Sequence, residues 1–315
     1  MDAVDFEPHR GELAAYCYRM IGSFHEAEDL VQETMLRAWK ARDRYDPMRA
    51  SVRTWLYRIA TNACLTALDG KARRPLPSGL GAASEDTGAP LTPAFDIPWL
   101  QPFPDARFDI GARADLRLAL VAAIQVLPPR QRAVLVLREV LQFSAAEVAV
   151  QLDTSVAAVN SALQRARVAI ADVGDIGEVA EPDDAEVRAV IQRYLHAFES
   201  ADVPALVRLL TDDAIMEMPP VPLWYQGRRD YGLFMDRVFG MWGPGWRMTQ
   251  LTANRQPALA AYAPQPDGTL QLHTLQVFTV VAGRVAANVV FADPAVFEAF
   301  DLPKQFPLDE FRRPR

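Results

Sequence analysis

Asn160, Ser161, Gln164, Arg165 and Arg167 fall close together in the stretch Ser144 to Arg167, SAAEVAVQLDTSVAAVNSALQRAR. Asn, Gln and Arg side chains can each place two hydrogen bonds on one base edge, which suits this set to reading duplex DNA in the major groove. A second set lies upstream, where Trp55, Arg58, Asn62, Thr66, Asp69 and Arg73 recur every three or four residues. An aromatic ring beside Arg and Asn on one helix face can stack on an unpaired base and hold phosphates. Each set also has a plainer reading. The first would be the solvated face of a helical hairpin, the second a core tryptophan with a polar stripe.

The elements that would carry these side chains follow from local chemistry. Ser144 and Glu147 form a capping box, so a helix is expected to start there. Val148 and Leu152 can share its buried face. Asp153-Thr154 favours a turn, and Ser155 is a good N-cap for a second helix. In that helix Val156, Val159, Leu163, Ala166 and Ile170 give an inner stripe, leaving the polar set outside. Upstream, Ser23 and Glu26 form another capping box. It opens a helix in which Leu30, Val31, Met35, Ala38 and Trp39 alternate with Asp29, Gln32, Glu33 and Arg37. After a Tyr45-Asp46-Pro47 loop, a longer helix is expected from about Ser51 to Arg74. Its core stripe is Leu56, Ile59, Ala60, Ala63, Cys64 and Leu68.

The 315 residues are enough for two or three domains, and half are apolar. No apolar run approaches the ~20 residues of a membrane span. The N-terminal MDAVDFEPHRGEL lacks the apolar core of a leader, and Cys17 and Cys64 form no CxxC pair. A reducing cytoplasm, with no structural metal or cofactor, is the expectation. The net charge of −7 argues against a non-specific nucleic-acid coat, but its distribution is uneven. Residues 1–33 hold eight acids and two bases, whereas 34–75 hold ten bases and three acids. Residues 113–172 hold seven bases and five acids. Two separate basic helical segments suit a protein that touches DNA at two places. Residues 76–112, with Pro77, Pro90, Pro93, Pro98, Pro102 and Pro104, read as an irregular acidic linker. A second break is expected at 174–184. Four parts result: 1–75, the linker 76–112, 113–172 and 183–305, with a polar tail at 306–315.

Together, DLVQETMLRAW (29–39), SVRTWLYRIATNACLTALDGKARR (51–74) and LPPRQRAVLVLREVLQFSAAEVAVQLDTSVAAVNSALQRAR (127–167) resemble the extracytoplasmic-function sigma factors of bacterial RNA polymerase. The resemblance implies a region 2 domain at 1–75 and a region 4 helix-turn-helix at 113–172. It places Asp29, Gln32 and Glu33 on the helix that binds the clamp helices of the polymerase's largest subunit. The segment Arg42 to Arg53 would capture an extruded base of the −10 element. Arg53, Trp55, Arg58 and Asn62 would open and hold that element, and Arg73 and Arg74 would follow phosphates. Ser155, Asn160, Ser161, Gln164, Arg165 and Arg167 would face the −35 element, with region 4 near the polymerase flap. The linker would thread along the polymerase channel toward the RNA exit path.

The part at 183–305 is expected to form two helices, the second after Asp202-Val203-Pro204, and then strands at 214–218, 246–252, 258–263, 270–281 and 285–291. Asp267-Gly268 and Ala282-Gly283 mark hairpin turns. The order, and the phrase TDDAIMEMPPVPLWYQGR, resemble the SnoaL-like, nuclear-transport-factor-2-like superfamily. That implies an α+β cone with a curved antiparallel sheet. Its candidate ligand pocket is Met216, Met218, Trp224, Tyr225, Phe234, Trp242, His273 and Phe291. The expected whole is two all-α domains followed by this cone, acting as a non-enzymatic sigma factor whose third domain modulates it. An isomerase- or cyclase-type enzyme with His273, Asp212 or Asp213 as proton-transfer group is the alternative, as is a ligand-responsive DNA-binding regulator.

Overall fold

The computed structural model describes residues 5–108, 115–171 and 184–306. The linker's end at 109–112, most of the break at 174–184 and the tail after Phe306 lie outside the described residues. The chain divides into two units, one within Met1–Arg74 and Leu100–Ile176, the other within Pro75–Trp99 and Gly177–Arg315. The expected linker is therefore shared between them.

The first unit is helical: α1 (Arg10–Ile21), α2 (Phe24–Ala41), α3 (Val52–Leu68), α4 (Leu118–Gln125), α5 (Pro129–Leu135), α6 (Ala145–Gln151) and α7 (Val156–Ala171). One π turn, Val136–Val140, follows α5. Gly22 ends α1 in the left-handed region at φ 74°, where a Cβ would stand 3.0 Å from Leu100 Cδ1. Only glycine satisfies both demands. Ser23 caps α2 by accepting from Glu26 N, but the Glu26 carboxylate turns away to Arg74 at 2.7 Å and Lys71 at 3.2 Å. That box is therefore half-formed, whereas the Ser144–Glu147 box is complete.

Helix α3 stops at Leu68, short of the expected Arg74, and the chain turns at Gly70 with φ 68°. In α7 the buried stripe is Val159, Leu163 and Ala166, while Val156 is 44 % exposed and Ile170 only half-buried. The physical reason is length. A 16-residue helix of about 24 Å outreaches the seven-residue helices α5 and α6, about 10 Å each, against which it packs.

The second unit holds α8 (Ala185–Glu199), α9 (Val203–Arg208), α10 (Arg228–Trp242), α11 (Pro294–Ala299) and six strands. The strands are β1 (Leu210–Glu217), β2 (Trp224–Gln226), β3 (Arg247–Ala253), β4 (Gln256–Pro264), β5 (Leu270–Val281) and β6 (Arg284–Phe291). Their order is β2-β1-β6-β5-β4-β3. Neighbours pair antiparallel except β1 with β6, so the sheet is mixed rather than purely antiparallel. The chain leaves β2 through α10 and enters the sheet again at its far edge. The meander β3 to β6 then brings its last strand back beside β1 in the same sense. Strand β1 begins at Leu210, which puts Asp212 and Asp213 within an exposed part of the strand and not at a helix-to-strand turn. The hairpin at Ala282-Gly283 has both residues at positive φ, 47° and 68°, as a two-residue I′ turn requires. Val187, Val190, Ile191 and Tyr194 of α8 press their apolar stripe onto the sheet's inner face, with Phe234 and Met235 from α10.

Candidate polymerase and promoter interfaces

Asp29, Gln32 and Glu33 are all exposed on α2. Leu36 and Trp39 lie further along it, 51 % and 58 % exposed. Trp39 was expected on the inner face; instead it points outward with the Arg42 guanidinium 4.3 Å over its ring. An acidic patch continued by two uncovered apolar side chains has the composition of a protein-binding surface. The two apolar members were missed because helical periodicity assigns Leu and Trp to a core by default.

On α3, Arg58, Asn62 and Thr66 are exposed along one face, as the spacing predicts, and Asp69 is exposed at its C-cap. Trp55 is half-buried between Phe6 and Tyr45, its ring 5.8 Å and 5.1 Å from theirs. Tyr45 is itself tied to Ala50 O at 3.0 Å, so the loop before α3 is folded onto the tryptophan. Arg53 points elsewhere. Its Nε donates to Glu12 Oε2 at 3.0 Å, and its guanidinium lies over Phe143 at 4.7 Å. Burial alone would raise the Glu12 carboxyl, but hydrogen bonds from His9 and Arg53 hold it below the usual carboxylate range. Arg74 lies beyond the end of α3, and its guanidinium reaches Glu26 at 2.7 Å. Arg73 is exposed.

In α7, Ser155 accepts from Ala158 N as the N-cap, and Asn160, Ser161, Gln164 and Arg165 are exposed in a row. Arg167 is exposed and meets Glu139 at 2.8 Å. The turn between α6 and α7 has Asp153 at φ 50°, a left-handed position that Asp tolerates. A seven-residue helix, a tight turn and a longer helix with amide and guanidinium side chains outward have the geometry of a helix-turn-helix.

Comparison with known proteins agrees part by part. Residues 6–74 match the sigma-70 region 2 model, 117–170 the sigma-70 region 4 model and 191–288 the SnoaL-like domain model. The chain is 48 % identical over 309 residues to the ECF RNA polymerase sigma factor SigG of Mycobacterium tuberculosis (strain ATCC 25618 / H37Rv), covering 94 % of this chain and 82 % of that one. This chain belongs to the ECF RNA polymerase sigma factors. It is also 28 % identical to SigJ of the same strain over 97 % of this chain and 96 % of that one. The crystal structure of M. tuberculosis SigJ has the same fold, with a TM-score of 0.67 at 24 % identity, covering 95 % of this chain and 99 % of that one. A sigma factor binds core RNA polymerase and promoter DNA and directs initiation at chosen promoters. Among the described residues no helix is long and apolar enough to cross a membrane, and no cluster of metal-ligating side chains occurs.

The sigma factor's third domain places the expected pocket residues in different settings. Met216, Met218, Tyr225 and Phe234 are buried together in the cone's core, and Phe291 is 2 % exposed. Trp242 and His273 gather around Trp246, with ring centroids 4.6 to 6.1 Å apart. Desolvation there lowers the His273 pKa. Asp212 is exposed and paired with Arg228 at 2.7 Å, and Asp213 is exposed, so neither serves as a desolvated base. Two buried polar features were missed by sequence reasoning. Tyr194, Tyr231 and Asn288 form a hydrogen-bonded cluster, with Tyr194 Oη to Tyr231 Oη at 2.8 Å and Asn288 Nδ2 to Tyr231 Oη at 2.9 Å. Glu217, 5 % exposed, accepts from Ser78 N at 2.8 Å, and burial pushes its carboxyl up. Asn288 and Glu217 are hidden by strand alternation, because a lone polar residue inside an apolar run reads as an outward position.

Proposed function

We propose that the third domain modulates this sigma factor by holding most of the linker, up to Trp99. One observation carries the reading: Pro75–Trp99 is bound along the cone within the second unit. Ser78 N donates to Glu217, Trp224 Nε1 to Gly81 O at 3.0 Å, and Ser84 N to Trp224 O at 2.8 Å. Tyr225 Oη donates to Asp86 O at 3.2 Å, Arg237 Nη1 to Thr87 O and Ala89 O at 2.8 Å each, and Ala94 N to Pro220 O at 2.9 Å. Leu91 packs on the cone's core. Most of these bonds go to backbone groups, so they recognise an extended course of the chain more than its side chains. A linker held this way is withheld from the polymerase channel until it is released.

In the same reading Asp29, Gln32 and Glu33 bind the clamp helices. Trp55, Arg58 and Asn62, with Arg53 and Arg73 at the margins, hold the opened −10 strand. Ser155, Asn160, Ser161, Gln164, Arg165 and Arg167 face the −35 element, with region 4 at the flap. The protein works in the cytoplasm without catalysing a reaction, because polymerase supplies the chemistry. The pocket group around Met216, Tyr225 and Phe234 is the place for a small apolar ligand that would alter the grip on the linker.

The test is run-off transcription with purified core polymerase and the cognate promoter, comparing wild type with Arg237→Ala and Glu217→Ala combined. Release of the linker is expected to change output at least about threefold while leaving region 2 and region 4 folded. Equal output from both proteins, with the linker shown by protease cleavage to be released, would remove the regulatory role.

A further inference from the structure

The inner stripe of α8 is committed to the sheet, but its C-terminal half also borders a cleft shared with α9, with a volume of about 620 Å³. Helix spacing sets what stands there. His196 and Ser200 lie one turn apart on the exposed side of α8, with Arg193 one turn before His196. Arg208, exposed at the end of α9, lines the same cleft. The apolar lining is Ala197, Ala205 and Leu209. Two methyl-sized side chains among these three leave room for the body of a ligand.

Residues 184–306 hold thirteen acids against ten Lys and Arg, so a cationic cleft runs against the balance of this part of the chain. Elsewhere in the cone, guanidinium groups are engaged by their own chain. Arg228 meets Asp212 at 2.7 Å, Arg247 donates to Trp246 O at 2.9 Å, and Arg284 donates to Arg208 O at 3.2 Å. In the cleft, Arg193 Nε donates to Ala189 O at 3.3 Å, and no carboxylate among the described residues pairs with Arg193 or Arg208. Asp202, the one carboxylate in the lining, caps α9 by accepting from Ala205 N at 2.9 Å. Two guanidinium forks, an imidazole and a hydroxyl make a set rich in donors. Such a set suits a dianion with several acceptor oxygens, because each fork can take two of them. A single carboxylate would fill only one fork.

We propose that the α8–α9 cleft binds a small phosphate monoester with an apolar or aromatic body. Arg193 and Arg208 hold the phosphate with His196 and Ser200, and the body lies on Ala197, Ala205 and Leu209. The volume falls within the range of roughly 300–1,000 Å³ usual for small-ligand sites. The cleft shares no residue with the groups that hold the linker, nor with the buried set around Met216, Tyr225 and Phe234. This inference therefore does not rest on the role given to the third domain.

The test is calorimetric titration of the full chain with naphthyl phosphate, a phosphate monoester on an aromatic body. The expected Kd is below about 1 mM and at least about tenfold tighter than for inorganic phosphate or naphthol alone. Arg193→Ala and Arg208→Ala change exposed positions, and each is checked for an unchanged melting temperature. Each is expected to weaken naphthyl phosphate at least about tenfold, since each removes a charge-assisted fork. Arg229→Ala removes an exposed arginine of α10 outside the cleft and is expected to leave the affinity unchanged. The proposal is overturned by any of three results: no binding of naphthyl phosphate, an equal loss in Arg229→Ala, or inorganic phosphate binding as tightly as the ester. A DNA duplex without promoter elements that takes the ester's place, and loses affinity in the same two variants, would reassign the cleft to nucleic acid and overturn it too.

Discussion

Helices α3 and α7, the two proposed nucleic-acid faces, hold their polar side chains differently. In α7 the outward residues stand in a clear row on a well-capped helix, and among the described residues only the last of them, Arg167, meets a carboxylate. Around α3 the aromatic and cationic groups are engaged with their own chain, Trp55 with Tyr45 and Phe6, Arg53 with Glu12 and Phe143. The difference fits the two proposed targets. A duplex groove exists before binding, so its reader can be rigid and fully presented. An unpaired base exists only after the duplex opens, so the groups that hold it rest against protein until then.

The largest effect that could break this contrast is expected from Trp55→Ala combined with Asn62→Ala. Base stacking is worth ~1–3 kcal/mol per base. The double variant should lose at least about thirtyfold in strand opening, read by permanganate reactivity at the −10 element, while upstream duplex contact persists. A parallel loss of both would erase the distinction. Next comes Arg165→Ala, expected to cost ~1–3 kcal/mol at the −35 element if it reads a base. Binding of holoenzyme to promoters altered at single upstream positions measures it, and a uniform loss across all sequences would make it a phosphate contact.

Smaller effects concern the resting contacts. Arg74→Ala removes the half-buried pair with Glu26 and should lower stability by about 1 kcal/mol, whereas Arg167→Ala on the exposed helix should cost less than about 0.5 kcal/mol. Chemical denaturation of the two variants separates them, and equal costs would say that α3's surroundings are no more committed than α7. The smallest effect is in pH. Glu12 has its pKa lowered in the folded chain, so the stability it contributes is fully present above the ordinary carboxylate value of 4.5. That contribution fades as pH falls through the lowered value. Melting temperature against pH should therefore drop less steeply in Glu12→Gln than in wild type at acid pH, and identical slopes would show that the Arg53–Glu12 contact does not matter to folding.

The helices were legible because their signals are local. Ser23, Ser51 and Ser144 each cap the helix they precede, and the α7 stripe needs only the spacing of Val159, Leu163 and Ala166. Four of the five strands expected in the cone match closely, and the fifth, β1, begins four residues earlier at Leu210 rather than Ala214. The short edge strand β2 was not legible, since three residues carry no period. Nor was the parallel pairing of β1 with β6, a property of the path between strands. The ion pairs of Arg53 and Arg74 could not be read either, because Glu12 and Glu26 are distant in sequence and no periodicity links them. Helix spacing tells which side chains share a face; it says nothing of what another helix places opposite.

Pro75–Trp99 belongs to the second unit, whereas the chain on either side of it, up to Arg74 and from Leu100, belongs to the first. The boundary in space therefore does not follow the order of the sequence, and the third domain cannot be removed by shortening the chain from its C-terminal end. Cutting there would leave Leu91 without the core it packs on and the backbone of Ser78, Ser84 and Ala94 without partners. The remainder would be a two-region sigma factor bearing a sticky, protease-sensitive loop, and its behaviour would reflect that bare segment as much as the loss of the cone.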